Sequence, residues 1–149
     1  GKLPECRALT RPKRWPQFCG DMNEKRAIVA MRVLVVDDDE ASCQLLVKIL
    51  QANKMDAEWA SNGLTAYEMA LRQPYDLFIL DVRMPLILGT ELAEGLKKKH
   101  PDARIILISS FADVALRQDA ARLGVPLLSK PFTLNRLLQT TTEVLQQSP

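Results

Sequence analysis

The chain has 149 residues, 47% of them hydrophobic and 26% charged, with a formal net charge of +2. That length and balance imply one domain with a substantial core and exclude wholesale disorder, and the net charge is too small to argue for a nucleic-acid partner. The longest apolar run, about Ala27 to Val36, is interrupted by Arg32 and ends in acids, so it is too short to span a bilayer and has no secretory cleavage site.

Charge is unevenly placed. Residues 1–30 hold seven Lys or Arg against three acids, whereas the remainder holds 13 basic and 15 acidic side chains. With Pro4, Pro12, Pro16 and Gly20 and no sustained apolar period, residues 1–30 read as a flexible or expression-derived leader, with Met22 and Met31 as candidate starts. Its basic residues read as a solvated tail rather than an arm for nucleic acid or membrane. Three widely spaced cysteines (Cys6, Cys19, Cys43) and a single histidine, His100, offer no zinc or disulfide spacing. Reduced thiols and a cytoplasmic location are therefore expected.

From Met31 onward the pattern is regular. Arg32 to Val36 is a β-branched strand closed by Asp37-Asp38-Asp39-Glu40, and a helix follows from about Ala41 to Gln51 with Leu45, Leu46, Ile49 and Leu50 as its apolar stripe. Cys43 is expected to be a buried thiol in this helix. Asp39 and Glu40 read as helix-start acids rather than ligands. Met55 to Ala60 is a second strand, with Trp59 in the core or at the sheet edge. Ser61-Asn62-Gly63 caps a helix from Leu64 to Arg72, ended by Pro74. The strand Asp76–Leu80 is apolar over four consecutive residues, as expected of a parallel strand buried on both faces. Asp81 closes it.

Thr90 to Lys99 is a third helix, whose Lys97-Lys98-Lys99-His100 run before Pro101 is explained by the negative pole of a helix end. Ile105 to Ile108 is a fourth strand closed by Ser109, and Ala112 to Leu123 a helix ended by Gly124. Val125 to Leu128 is a short strand that Pro126 confines to an edge. Thr133 caps a last helix to Gln146, with Leu134, Leu137, Leu138 and Leu145 turned inward. Strand–helix alternation five times over predicts a parallel sheet covered by helices on both faces, in the flavodoxin-like order 2-1-3-4-5.

In that order the strand ends deliver Asp37, Asp38, Asp81, Ser109 and Lys130 to one rim, where strands one and three meet at the topological switch point. Three close carboxylates repel one another unless a cation compensates, and oxygen ligands of this kind suit Mg²⁺. A carboxylate beside such an ion can attack a phosphoryl group, with the Ser109 hydroxyl and Lys130 ammonium available for its oxygens. The set reads as an aspartyl-phosphate site.

Val35-Val36-Asp37-Asp38-Asp39, Leu80-Asp81-Val82-Arg83-Met84-Pro85, Ile108-Ser109-Ser110 and Leu128-Ser129-Lys130-Pro131-Phe132 resemble, in order and spacing, the receiver domain of two-component response regulators. The resemblance covers about 31–147. It implies Asp81 as phosphoacceptor, Asp37, Asp38, Asp81 and the backbone carbonyl of Arg83 as Mg²⁺ ligands, Ser109 as switch hydroxyl and Lys130 as phosphate-binding lysine. It also implies a cis Lys130–Pro131 bond, a histidine kinase or phosphotransfer protein as donor, and an unidentified output domain or target. No direct nucleic-acid or membrane binding follows, and a phosphorylation-dependent dimer is allowed. The expected activity is self-catalysed phosphoryl transfer and dephosphorylation, not turnover of a dedicated substrate. Leu127 stands where the family usually carries a switching aromatic. Phe111 reads as a packing group rather than a gate, and Leu86-Ile87-Leu88 is left open between a contact patch and a segment folded back on the sheet. A haloacid-dehalogenase-like phosphatase would use Asp37 and Asp39, yet Glu143 is the one acid after Lys130. A degenerate receiver is disfavoured because all five site residues are present.

Overall fold

The computed structural model describes residues 31–146. Five parallel strands, β1 (Arg32–Val36), β2 (Asp56–Ala60), β3 (Leu77–Asp81), β4 (Ile105–Ser109) and β5 (Leu127–Ser129), form one sheet in the order β2-β1-β3-β4-β5. They alternate with α1 (Glu40–Ala52), α2 (Gly63–Arg72), α3 (Gly89–Lys99), α4 (Val114–Leu123) and α5 (Leu134–Gln146). The flavodoxin-like fold expected from the alternation is the one observed, with β5 at an edge immediately after Pro126.

Every residue of β3 and β4 is buried because side chains of alternating parity enter different cores. Leu34, Val36, Phe78, Leu80, Ile105 and Leu107 face α2, α3 and α4. Val33, Val35, Leu77, Ile79, Ile106 and Ile108 face α1 and α5. Each such side chain contributes about 1.5–3 kcal/mol by leaving water, so this double-faced apolar slab is the principal source of stability. The capping residues behave as their chemistry dictates. Asn62 accepts the Thr65 N–H at 2.8 Å, and Thr133 Oγ1 accepts the Arg136 N–H at 3.0 Å.

Three local expectations need correcting. Leu45 is exposed, because α1 buries the stripe Cys43, Leu46, Val47 and Leu50 instead. Leu134 is also exposed, and α5 seats Thr140 and Thr141 inward beside Leu137, Val144 and Leu145. Those threonines can be buried because their hydroxyls donate to the carbonyls of Arg136 and Leu137, both at 2.9 Å. Finally, α4 starts at Val114 rather than Ala112, since Asp113 caps it by accepting the Leu116 N–H at 2.9 Å. The buried Cys43 thiol is as expected: burial, with the Asp37 charge adding, pushes its pKa up to about 12.

Candidate functional site

β1 and β3 are paired from Val33↔Leu77 to Val36↔Leu80, so the residues that follow them leave the sheet side by side. Side-chain oxygens of Asp37, Asp38 and Asp81 accordingly lie within 4.8 Å of one another. Asp37 and Asp81 are buried, whereas Asp38 is exposed at the lip. Asp37 is fixed at both oxygens, accepting the Asp39 N–H through Oδ1 at 3.0 Å and Lys130 Nζ through Oδ2 at 3.0 Å. Asp39 is not in the cluster: at the N-cap position of α1 it accepts the Ser42 hydroxyl at 2.6 Å, which holds its pKa below the ordinary value. The reading of Asp39 as a helix-start acid agrees with this placement.

Lys130 reaches the cluster from the far side of β4. Its backbone N–H donates to the Ser109 carbonyl at 2.8 Å, and the Lys130–Pro131 bond is cis, as the resemblance implied. Its ammonium lies 3.0 Å from Asp37 and 3.4 Å from Asp81. Burial alone would lower the pKa of this lysine, but the hydrogen bond to Asp37 and the charges of Asp81 and Asp37 outweigh it and hold the group above its ordinary value. One cation thus faces three carboxylates. Burial, followed by repulsion from Asp37, pushes Asp81 up to about 6 in spite of Lys130.

The donor set is wholly oxygen, with two negative charges in excess of the lysine. That surplus fits a hard divalent cation, and no His or Cys is in the cluster to favour a softer one.

Ser109 ends β4 at the same rim, and its hydroxyl is engaged by its own loop. The hydroxyl is buried and donates to the Phe111 carbonyl at 3.0 Å while accepting the Phe111 N–H at 3.0 Å. Phe111 corrects the packing expectation, since its side chain is 58% exposed. The Arg83 guanidinium lies over its ring at 5.6 Å, joining the β3–α3 and β4–α4 loops. Leu127 is half-buried against the core cluster on the α2–α4 side.

The segment after Asp81 is held more tightly than its sequence suggests. Val82 N–H donates to the Ile108 carbonyl at 2.9 Å, and Gly89 N–H returns to the Val82 carbonyl at 2.8 Å. A Cβ on Gly89 would overlap the Asp81 carbonyl, so only glycine permits this approach. Ile87 folds back onto Gly63, whereas Leu86 and Leu88 stay exposed. The loop is therefore both a folded-back segment and an exposed one. Gly89 is the position beside the site that the sequence pattern did not single out, although a glycine at the start of a helix just after an apolar loop was its signal.

The family model described as the response regulator receiver domain matches residues 33–142. The chain belongs to that family. As a receiver it is a phosphoacceptor signalling domain of a two-component system. The response regulator receiver protein CpdR of Brucella abortus is 36% identical over 115 residues, covering 76% of this chain and 96% of that protein. Response regulator MprA of Mycobacterium leprae is 34% identical over 119 residues, covering 79% of this chain; the chain spans 52% of MprA. Response regulator TrrA of Thermotoga maritima, solved in complex with Mg²⁺-BeF, superposes with a TM-score of 0.69 at 34% identity, covering 76% of this chain and 98% of that one. Among the described residues, no helix is long and apolar enough to cross a membrane.

Proposed function

We propose that Asp81 is the phosphoacceptor and that the receiver unit spans residues 31–147; the proposed leader, residues 1–30, lies outside the described residues. The observation that carries this is the buried Asp81 carboxylate, flanked by Asp37 and Asp38 within 4.8 Å and by the Lys130 ammonium at 3.4 Å. Asp37, Asp38, Asp81 and the Arg83 carbonyl would hold Mg²⁺, which when bound neutralises the surplus charge on carboxylates and phosphoryl oxygens.

An Asp81 oxygen attacks the phosphorus of a phosphohistidine. The new bond is O–P, the P–N bond breaks, and the imidazole leaves and takes up a proton. Lys130 is already in place to neutralise a phosphoryl oxygen. Hydrolysis reverses the state: water adds to phosphorus, the acyl O–P bond breaks, and Asp81 returns as a carboxylate. When Ser109 donates its one proton to a phosphoryl oxygen, it can no longer donate to the Phe111 carbonyl, and the β4–α4 loop loses that tie. We infer a histidine kinase or phosphotransfer protein as donor, a separate output domain or target, a cytoplasmic location, and no substrate turnover beyond transfer and self-dephosphorylation.

Incubation with acetyl phosphate and Mg²⁺ should add one phosphoryl group to the wild type and none to Asp81→Asn, read by intact mass. Equal labelling of both would overturn the assignment. Lys130→Ala should retain Mg²⁺ binding but lose the conformational response to phosphorylation; an unchanged response would remove the lysine from the mechanism.

A further inference from the structure

Cys43 lies in the first part of α1, beneath the loop that carries Asp37 and Asp38, and none of it is exposed. Its thiol donates to the Asp37 carbonyl at 3.2 Å. The Ala60 carbonyl is farther off, at 3.8 Å, and a thiol has one proton, so the nearer acceptor takes it. Among the described residues this thiol is the only donor to the Asp37 carbonyl. Asp37 is itself buried, which leaves little room for water to serve that oxygen instead.

The thiol completes a set of ties on one residue. Asp37 N–H donates to the Ala60 carbonyl at 3.2 Å, while Oδ1 accepts the Asp39 N–H and Oδ2 accepts Lys130 Nζ, both at 3.0 Å. Those three ties run to the end of β2 and to the rim. The thiol alone fastens Asp37 to the interior of α1, so that helix and loop move as one body. Packing does not call for a donor at this place, since Leu46, Val47 and Leu50 complete the buried stripe without one. The carbonyl it serves accounts for the polar side chain.

We propose that Cys43 is a positioning residue for the metal: its thiol holds the Asp37 backbone so that the carboxylate faces Mg²⁺ beside Asp38 and Asp81. The thiol touches neither the ion nor a phosphoryl group and acts only through Asp37. Without the donor a buried carbonyl is orphaned, the loop turns to satisfy it, and the carboxylate loses its direction. Affinity for the ion then falls, while the chemistry at Asp81 stays as it was once the ion is bound. This inference rests on Asp37 being a Mg²⁺ ligand.

Variants at this position separate the proton from the bulk of the thiol. Cys43→Val keeps the volume and removes the donor, Cys43→Ser keeps a donor in less volume, and Cys43→Ala lacks both. Mg²⁺ titration of the unphosphorylated protein, followed by amide shifts in NMR, gives the dissociation constant without any turnover and shows that each variant is folded. The Val and Ala variants should bind about tenfold more weakly, and the Ser variant should stay within about threefold of wild type. Labelling by acetyl phosphate should fall in the same order at limiting Mg²⁺ and return to within about twofold of wild type at saturation, as expected when binding rather than chemistry is lost. Unchanged affinity in Cys43→Val and Cys43→Ala would overturn the proposal. Losses that follow volume, with the Ser variant weakened and the Val variant intact, would overturn it too. Asp37→Asn, titrated alongside, tests the foundation separately: wild-type affinity in that variant would strike the ligand assignment itself, and the proposal with it.

Discussion

At the N-terminal edge of the sheet, Arg32 sits among several polar partners. Its guanidinium donates to Gln73 Oε1 at 3.1 Å and Glu58 Oε2 at 3.3 Å, approaches Asp56 at 3.2 Å, and lies 5.1 Å above the Tyr75 ring. The buried Tyr75 hydroxyl donates to Glu58 and accepts from Gln73 at 2.8 Å. Burial, then Glu58, raises the tyrosine pKa, so it stays a neutral donor. At the C-terminal edge Lys130 pairs with Asp37 and Asp81, and Asp38 adds a third carboxylate to the cluster. The same sheet supports both ends with more acids than cations, yet the acids around Arg32 stand open to solvent, whereas Asp37 and Asp81 are buried. The first arrangement serves stability; the second is destabilising by itself and becomes favourable only when a cation and a phosphoryl group arrive.

Substitutions at the two ends should therefore move stability in opposite directions. Arg32→Ala should cost about 1–2 kcal/mol, since it strips Glu58 and Gln73 of a charged donor while the acids stay partly solvated. Urea unfolding at pH 7 checks this, and a loss under about 0.5 kcal/mol would deny the N-terminal edge its role. Asp81→Asn should do the reverse in metal-free protein. The folded-state pKa of Asp81, about 6, lies above its ordinary 3.8, so the ionised form disfavours folding. Wild type should lose stability as pH rises from about 4 to about 6 and then level off. Asp81→Asn, blind to that titration, should match wild type near pH 4 and exceed it by about 2 kcal/mol at pH 7 in EDTA. A constant difference across that range would exclude titration as the cause.

Mg²⁺ sharpens the same contrast at smaller scale. An ion present at ten times its dissociation constant should raise wild-type stability by about 1.4 kcal/mol. Arg32→Ala should gain the same increment from its lower baseline, because its lesion is at the other edge. Asp81→Asn should gain less, having lost a ligand. Equal increments in all three would place the ion elsewhere.

The C-terminal edge was the more legible of the two. Strands such as Ile105 to Ile108 announce themselves because burial on both faces makes them continuously apolar, and the acids were visible because chemistry gathers where such strands stop. The N-terminal network was not legible. Arg32 meets partners 26 and 41 residues away, and nothing in the local pattern marks Glu58 or Gln73 as theirs. Helix stripes misled for a related reason: Leu45 and Leu134 were assigned inward on hydrophobicity, but the buried positions went to Cys43, Thr140 and Thr141. A threonine that satisfies its hydroxyl on its own helix can serve as a core residue, which only the folded geometry reveals. At the site itself, Ser109 was placed at the correct strand end, but its engagement with the Phe111 backbone depends on a loop turn that carries no sequence signature.

The contrast extends to the backbone, where the expected effects are smallest. Two positive-φ residues near the N-terminal edge close helices and are answered by hydrogen bonds. Lys54 follows α1 with Met55 N–H to the Leu50 carbonyl at 3.1 Å, and Gly124 follows α4 with Val125 N–H to the Ala120 carbonyl at 3.0 Å. Leu86, at the site, has φ +76° and closes only its three-residue turn. A Cβ at Gly124 would meet nothing within 4 Å, so Gly124→Ala isolates the cost of the left-handed conformation, about 1 kcal/mol. Leu86→Gly should recover part of a similar strain, up to about 1 kcal/mol, offset by the greater freedom of glycine in the unfolded chain. Urea titrations of both variants test the pair together. Should Leu86→Gly unfold more easily than wild type, the freedom of glycine in the unfolded chain would outweigh the strain relieved at this turn.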